Sequence, residues 1–275
     1  MTEVIRTTIN GEPGDRISVR DRGFQYGDGL FETIAVRDGA PRLWSHHLDR
    51  LQRGAVQLKL PLPDVTVLQQ EAQNLCRDVD RAVLKLIVTR GPATDGYALP
   101  DSPQPTYVFS LSAWPPDRES WAEGVAVCVC KTRIATNPKL AGIKHLNRLE
   151  QILARAEWRD EYAEGLMLDV DGHVIDGTTS NVFAVFDRGL VTPDVANGGI
   201  AGVMRGVVLA HATLLGIPSW VAPLKLDELY AAQEIFLTNS LMGVVPVTQF
   251  DGRKFSIGNT TRTLQQRLQE IGVRP

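Results

Sequence analysis

The sequence contains little cysteine and no run of apolar residues long enough to cross a membrane. Its three cysteines, Cys76, Cys128 and Cys130, are an odd number without the paired spacing of a disulfide framework or a metal clip. The apolar stretches, such as residues 124–130 (GVAVCVC), are far shorter than the roughly 20 residues of a membrane helix. The first residues (MTEVIRTTING) lack the layout of a signal peptide. We therefore expect a cytoplasmic protein with no membrane partner, in which the cysteines serve packing.

The chain also lacks an excess of either charge. It has 29 Lys and Arg residues against 32 Asp and Glu residues, a net charge of −3 that offers no basic field to nucleic acid. Its histidines and cysteines show no metal-ligand spacing. Residues 169–172 (DVDG) resemble the start of a calcium loop, but the acidic positions that should follow are missing, and a hairpin turn explains them better. The sequence thus predicts no metal site and no nucleic-acid partner.

The 275 residues are enough for one large domain or for two modest ones. Residues 1–113 alternate short strands and turns with two helical stretches, a pattern typical of an α+β structure. The first stretch, residues 45–60, has an apolar side that includes Leu51 and Ala55, and the second begins at an Asp64 cap. Residues 114–121 (WPPDRESW) have neither helical nor strand periodicity and are predicted to be a linker. Residues 122–275 contain a strand meander with turns at 171–172 and 188–189, followed by further helices and strands. Strands dominate this second half.

One lysine precedes an amphipathic stretch in residues 141–158 (AGIKHLNRLEQILARAEW). The apolar residues recur at helical spacing and predict a helix with one buried face, made of Leu146, Leu149, Ile152, Leu153 and Ala156. Lys144 lies outside that face and follows a turn-rich run, so we expect it at the helix entrance. The alternative, an exposed surface lysine, is common for this residue type.

Three stretches could hold an anion. Residues 198–208 (GGIAGVMRGVV) place four glycines at the start of a helix, where free backbone N–H groups and the helix dipole favour a phosphate. Arg50 lies in a helical stretch beside an apolar stripe, and residues 237–247 (LTNSLMGVVPV) end a strand in a polar loop. The alternatives are an ordinary glycine turn, an exposed ion-pair arginine and a simple polar turn.

A carboxylate completes the set. Asp176 ends a predicted strand and is followed by small polar residues, so it could be only a turn residue. Together with a lysine and a phosphate cradle, however, it matches the requirements of pyridoxal phosphate. In such sites a lysine bonds to the cofactor and an acidic group partners the pyridine nitrogen. The sequence therefore predicts a pyridoxal 5′-phosphate enzyme.

Several segments, in their order along the chain, resemble the fold-type IV pyridoxal phosphate enzymes. They are residues 21–33 (DRGFQYGDGLFET), 142–151 (GIKHLNRLEQ), 176–183 (DGTTSNVF), 202–206 (GVMRG) and 237–247. That family includes branched-chain aminotransferases, D-amino acid aminotransferases and aminodeoxychorismate lyases. The resemblance implies a D-amino acid aminotransferase-like fold of two domains: a small α+β N-terminal domain, expected over residues 1–113, and a larger C-terminal pseudo-barrel domain that binds the cofactor, expected over residues 122–275. It also implies a homodimer that acts on a small-molecule substrate.

The resemblance assigns roles to individual positions. Lys144 matches the lysine that carries the cofactor and moves protons, and Asp176 matches the residue at the pyridine nitrogen, where the family usually has Glu. Further cofactor contacts are implied for Arg50, Val203, Met204, Asn239 and Ser240. Arg148 is expected either to reach the cofactor phenolate or to pair with another side chain on the helix surface. A substrate pocket is implied for Tyr26, Phe31 and Thr33, with Arg90 among the basic residues available to the substrate carboxylates.

Within the family, residues 144–151 (KHLNRLEQ) and 202–206 are most similar to the lyases. The aminotransferases typically carry a hydroxyl residue where this chain has Met204. We therefore expect elimination, the conversion of 4-amino-4-deoxychorismate to 4-aminobenzoate and pyruvate. The alternatives are an aminotransferase for D-amino or branched-chain amino acids and a pyridoxal phosphate carrier without turnover.

Overall fold

The computed structural model describes residues 3–94, 96–115 and 121–272. The chain divides into two compact units. Unit 1 comprises residues 1–116 and 143–147, and unit 2 comprises residues 117–142 and 148–275. Residues 116–120 of the predicted linker lie outside the described residues. The domain boundaries expected from the sequence stay a prediction.

Unit 1 is built on a six-stranded antiparallel sheet with the strand order β2-β1-β6-β5-β3-β4. The strands are β1 (Val4–Ile9), β2 (Glu12–Pro13), β3 (Gly29–Arg37), β4 (Ala40–Pro41), β5 (Arg81–Thr89) and β6 (Thr106–Ala113). The helices are α1 (Arg22–Tyr26), α2 (Trp44–Leu58) and α3 (Val65–Cys76). Strands with turns and two longer helices were expected here, and both are confirmed. The short helix α1 was not predicted.

The two longer helices of unit 1 follow from their sequences. In α2, Leu51 and Ala55 are buried on the predicted apolar side. Helix α3 begins after Asp64, whose side chain accepts a hydrogen bond of 2.7 Å from the Thr66 N–H. This is the N-cap that the sequence predicts. Cys76, at the end of α3, is fully buried, in agreement with a packing role.

Unit 2 contains a mixed sheet with the order β12-β11-β10-β13-β14-β7-β8-β9, and β15 pairs with β14. The strands are β7 (Val125–Ile134), β8 (Glu164–Asp169), β9 (Val174–Gly177), β10 (Asn181–Phe186), β11 (Gly189–Pro193), β12 (Ser219–Ala222), β13 (Glu234–Asn239), β14 (Gly243–Phe250) and β15 (Arg253–Lys254). Strand β9 also packs against β10 and β11, so the sheet curves back on itself. The helices are α4 (Leu149–Arg155), α5 (Val203–Leu214), α6 (Leu226–Tyr230) and α7 (Asn259–Glu270).

The prediction for α4 was wrong in two respects. The helix begins at Leu149, so Leu146 lies outside it and Lys144 is not at its entrance. Its apolar residues are also not buried in the chain: Leu149 is 73% exposed, and Ile152 and Leu153 are each 61% exposed. The periodicity identified a helix correctly, but periodicity reports that an apolar face exists, not which surface covers it.

Candidate active site

Lys144 lies in a short extended segment, residues 143–147, that pairs with β3. The Phe31 N–H donates to the Lys144 carbonyl at 3.0 Å, and the Leu146 N–H donates to the Gly29 carbonyl at 3.0 Å. The Lys144 ammonium group is 4.4 Å from the centroid of the Phe31 ring, a cation–π contact. The lysine backbone is therefore fixed by a strand, and its amine is held over an aromatic ring.

Strand β3 sorts its side chains to two faces. Leu30, Ile34 and Val36 are buried on the face that packs against α2, whereas Phe31 and Thr33 point the other way and are only partly buried. Lys144 shares the face of Phe31, as its contact with that ring requires. The structure thus brings Phe31 to the predicted lysine, and it places Thr33 on the same face of the strand.

Tyr26 lies at the end of α1 and is 39% exposed. Its ring centroid is 5.4 Å from that of Tyr97, and the Arg22 guanidinium is 5.3 Å from its ring. These contacts join α1 to the loop after β5. The proposed place of Tyr26 in a substrate pocket stays a prediction.

Arg50 is buried, and its guanidinium grips Glu32 on β3. Arg50 Nε donates to Glu32 Oε1 at 2.8 Å, and Nη2 donates to Oε2. His47, one turn earlier on α2, has its Nδ1 2.6 Å from Glu32 Oε2. Burial alone would raise the pKa of Glu32, but the charge of Arg50 and the hydrogen bonds from Arg50 and His47 lower it to about 2. Glu32 is therefore ionised.

Because the pKa of Glu32 is about 2 in the folded protein and 4.5 when unperturbed, its contribution to stability is present above pH 4.5 and lost as the pH falls towards 2. That contribution is roughly 3 kcal/mol. We expect urea unfolding to show Glu32→Gln less stable than the unsubstituted protein at pH 6, with the gap closing between pH 4.5 and 2. A gap that does not change over this range would contradict the assignment.

Arg90 is directed elsewhere. Its guanidinium donates to the Asp28 carboxylate through Nε at 2.7 Å and Nη2 at 3.0 Å, and to the carbonyls of Leu58 and Lys59. Arg22 donates to the same Asp28 at 2.8 Å. Arg90 is 3% exposed, so its donors serve the interior of unit 1. We propose a structural role for Arg90 in place of the predicted contact with substrate carboxylates.

In unit 2, Asp176 lies on β9, opposite Met167 of β8, and is 3% exposed. Its Oδ2 accepts a hydrogen bond of 3.1 Å from the Ile200 N–H. Gly199 has φ +81°, and a Cβ there would lie 2.5 Å from Ile175 Cγ2 and 3.0 Å from Asp176 Oδ2. The loop before α5 can thus approach the carboxylate closely only because residue 199 is glycine.

Arg148 is half-buried close to Asp176. Burial lowers the pKa of Arg148 below its ordinary value, and the negative charge of Asp176 opposes that change. A guanidinium nevertheless stays protonated in proteins. The acid predicted for the pyridine nitrogen and the arginine predicted for the cofactor phenolate therefore lie in one electrostatic environment.

Helix α5 begins at Val203, and no side chain caps its first turn. Asn181 donates from Nδ2 to the Ile200 carbonyl at 2.8 Å, and a Cβ on Gly202 would lie 1.9 Å from Asn181 Oδ1. Arg205 bonds to Thr192 Oγ1 at 3.2 Å and to the Pro193 carbonyl at 2.9 Å, so it braces the helix. The amides of Val203 and Met204 are thus at a helix N-terminus, which favours a phosphate.

Asn239 and Ser240 lie at and just after the end of β13. Asn239 Oδ1 accepts from the Leu241 N–H at 3.0 Å and the Met242 N–H at 2.8 Å, and Nδ2 donates to the Thr179 carbonyl at 3.2 Å. Asn239 therefore shapes the loop after β13. Ser240 follows at the turn and is partly buried. Their predicted phosphate contacts stay predictions.

Three side chains of one hairpin, two aspartates and a histidine, lie close enough together to resemble a metal site. One ligand atom from each of Asp169, Asp171 and His173 falls within 4.8 Å of the others. Asp169 Oδ1, however, already accepts the N–H groups of Asp171 at 3.0 Å and His173 at 2.8 Å. These bonds form the hairpin turn that the sequence predicts.

Residues 29–250 match the profile of the family described as amino-transferase class IV. The aminodeoxychorismate lyase of Vibrio harveyi is 37% identical over 266 residues, which cover 94% of this chain and 98% of that protein. The chain belongs to the class IV aminotransferase family.

Two further relatives carry different activities in their names. The putative branched-chain-amino-acid aminotransferase of Methanocaldococcus jannaschii is 33% identical, covering 94% of this chain and 92% of that protein. The solved structure of 4-amino-4-deoxychorismate lyase from Pseudomonas aeruginosa matches with a TM-score of 0.93 and 47% identity, covering 96% of this chain and 98% of that chain. The predicted two-domain α+β fold of the class IV family is therefore confirmed.

None of the helices within the described ranges has both the length and the apolar character that crossing a bilayer requires.

Three residues around the site were missed by sequence reasoning. Glu32 and His47 hold Arg50, and Glu164 accepts hydrogen bonds from the backbone and hydroxyl groups of the loop after Asp176, at Thr178, Thr179 and Ser180. A usable signal existed for Glu32 alone, because it interrupts the alternating apolar positions of β3 with a charge. The partners of Glu164 lie too far along the chain for periodicity to reveal them.

Proposed function

We propose that this chain is a pyridoxal phosphate-dependent lyase that converts 4-amino-4-deoxychorismate to 4-aminobenzoate and pyruvate, a step of folate biosynthesis. The observation that carries the proposal is the similarity to two lyases over nearly the whole length of each, at 47% and 37% identity. Met204, at the start of α5, agrees with it, since the aminotransferases of the family typically have a hydroxyl residue there.

The residues fit the cofactor by the chemistry of their donors. Lys144 supplies the amine, Asp176 supplies a buried carboxylate for the pyridine nitrogen, and Arg148 supplies a cation beside Asp176. The resemblance to the family implies that the amides of Val203 and Met204, the guanidinium of Arg50 and the Ser240 hydroxyl would hold the phosphate. Asn239 shapes the loop that carries Ser240. A phosphate of nearly two negative charges needs both hydrogen-bond donors and positive potential, and this set offers both.

When bound, pyridoxal phosphate would supply a covalent attachment point for the substrate amine and a sink for the electron pair of the adjacent carbon. The Lys144 Nζ removes the proton from the substrate carbon that bears nitrogen, and Asp176 keeps a proton on the pyridine nitrogen. The neighbouring carbon–oxygen bond then breaks, its electron pair leaves with the enolpyruvate oxygen, and the substrate ring becomes aromatic. Lys144 can then deliver a proton to the enolpyruvate methylene, which gives pyruvate. Phe31 lies against the Lys144 amine and would stabilise the ammonium that forms between the two transfers.

The purified protein, supplied with 4-amino-4-deoxychorismate, is expected to release 4-aminobenzoate and pyruvate in equal amounts without a keto acid. Both products are measured in the same reaction, with protein lacking the cofactor as the control. A requirement for a keto acid would favour the aminotransferase alternative, which the similarity to the M. jannaschii protein supports. Tight cofactor binding without either product would favour a carrier.

We also propose that the protein is cytoplasmic and forms a homodimer. Its three cysteines are free thiols, as a reducing compartment favours. Helix α4 presents Leu149, Ile152 and Leu153 to solvent on one side, and a second copy of the chain is the proposed cover for this apolar face. Single exposed apolar residues are ordinary, but three on one helical face favour an interface.

Leu153→Asp is expected to weaken the dimer at least about tenfold, because it places a charge in an apolar contact that association must desolvate. Molar mass is measured by light scattering over a range of protein concentrations. Leu214→Asp is the matched control, since Leu214 is a 73% exposed leucine at the end of α5. A monomeric unsubstituted protein, or an unchanged dimer in Leu153→Asp, would contradict the proposed interface.

A further inference from the structure

The most unusual side chain of unit 1 is a carboxylate in an apolar row. On the face of β3 that packs against α2, Leu30 is 2% exposed and Ile34 and Val36 are fully buried, yet Glu32 lies in the same row and is 1% exposed. Burying a carboxylate is costly unless it is paired and hydrogen-bonded. Its presence therefore depends on the groups that it meets.

Those groups are Arg50 and His47, both on α2. Arg50 contributes a positive charge and a two-point grip through Nε and Nη2. His47 is 1% exposed, and its Nδ1 faces Glu32 Oε2. Burial, followed by the charges of Arg50 and Lys144, lowers the pKa of His47 against the opposing effect of Glu32. The imidazole is thus neutral, and Glu32 and Arg50 cancel each other's charge.

This cancellation bears on the phosphate site. Without Glu32, Arg50 would attract a phosphate more strongly, because the Glu32 carboxylate repels the incoming dianion. A buried guanidinium that loses its carboxylate, however, is strongly destabilising. The cofactor-free protein must therefore provide a counter-charge of its own until a phosphate arrives.

We propose that Glu32 is a positioning residue that acts as the internal counter-charge of Arg50, compensating the charge of the buried guanidinium and orienting it before a phosphate binds. The proposal rests on the phosphate role of Arg50 in the proposed function. The two-point contact fixes the plane of the guanidinium, so the phosphate meets an arginine that is already in place. The cost is a lower attraction for the phosphate than an unpaired Arg50 would have.

The test uses the full chain freed of cofactor and titrated with inorganic phosphate or pyridoxal 5′-phosphate, followed by thermal unfolding. In Glu32→Gln, which keeps the shape and removes the charge, we expect a lower Tm without ligand. The rise in Tm caused by phosphate should be larger than in the unsubstituted protein, corresponding to an apparent Kd at least about threefold lower. A merely structural loss would lower the Tm without changing that rise, and an equal or smaller rise would overturn the proposal.

Two variants control the interpretation. Glu234→Gln removes the charge of another buried carboxylate. Glu234 caps α7 by accepting hydrogen bonds from the N–H groups of Thr260 at 3.2 Å and Thr261 at 2.8 Å, and neither of these donors is an arginine. This variant should lower the Tm but leave the phosphate-induced rise unchanged. Glu32→Asp keeps the charge and should also leave the rise near normal, even if Glu32→Gln fails to fold without ligand. If phosphate raised the Tm of Glu32→Asp more than that of the unsubstituted protein, the effect would come from the changed side-chain geometry and not from the charge. That result would overturn the counter-charge role of Glu32.

Arg50→Ala separates this proposal from the proposed function. If the phosphate-induced rise survives in Arg50→Ala, the phosphate does not use Arg50, and the assignment of Arg50 in the proposed function fails with the proposal made here. If the rise is lost in Arg50→Ala but is not enlarged in Glu32→Gln, the phosphate role stands and only the counter-charge is overturned. In the Arg50→Ala background, Glu32→Gln should raise the Tm, because it removes a carboxylate whose cation is gone.

Discussion

Lys144→Ala is expected to lower turnover of 4-amino-4-deoxychorismate by about 10⁴-fold, the upper end of what one acid–base group contributes. The change removes the amine that carries the cofactor and both proton transfers assigned to it. The backbone of residues 143–147 should keep its pairing with β3, since those bonds use the Lys144 carbonyl and the Leu146 N–H. Folding is checked by circular dichroism and turnover by release of 4-aminobenzoate.

The structure offers a matched control for this lysine. Lys85 of β5 also lies over the Phe31 ring, with its ammonium 5.3 Å from the ring centroid. Lys85→Ala should keep most of the activity. Borohydride treatment of the cofactor-loaded protein, followed by peptide mapping, should label Lys144. Label on Lys85, Lys131 or Lys139 would show that another amine carries the cofactor.

Asp176→Asn is expected to keep the fold and the cofactor but to slow proton abstraction by about 10² to 10³-fold. An amide can accept the Ile200 N–H as Asp176 does now, at 3.1 Å, but it has no charge with which to favour a proton on the pyridine nitrogen. Single-turnover kinetics measure the step, and absorbance checks cofactor loading. Asp169→Asn, in the neighbouring hairpin, is the control and should turn over normally. Near-normal turnover in Asp176→Asn would make Asp176 a structural residue only.

The companion variant Asp176→Glu restores the residue that is usual in the family. The side chain grows by one methylene in a place where Oδ2 already meets the Ile200 N–H and where a Cβ on Gly199 would come within 3.0 Å of that oxygen. The longer carboxylate must therefore displace the loop before α5 or bend away from it. We expect partial activity, between that of Asp176→Asn and that of the unsubstituted protein.

Local pattern predicted most of the fold. Alternation identified the strands of both sheets, and the Asp64 cap and the glycines before Val203 marked the starts of α3 and α5. These features depend on neighbours in sequence, so a single chain displays them. The short elements α1, α6 and β12 went unpredicted, because a few residues do not complete a period.

The site was less accessible to sequence reasoning. The candidate lysine, arginine and aspartate stood out beside recognisable motifs, but the pairing of residues 143–147 with β3 joins positions more than 100 residues apart. The bond between Glu32 and Arg50 likewise depends on how α2 lies on β3. The apolar face of α4 was expected to be buried within the chain and is exposed. Each failure concerns contact between distant segments, which periodicity does not encode.

The membership of residues 143–147 in unit 1 has a consequence for biosynthesis. A nascent chain that has emerged only as far as residue 116 lacks the segment that binds the Phe31 N–H and the Gly29 carbonyl. The first residues of β3 then form an unpaired edge of the sheet. An exposed edge of this kind can pair with strands of other chains, which leads to aggregation. Synthesis must proceed past the lysine before this edge is paired. Fragments cut at the linker should therefore be less soluble than the whole chain.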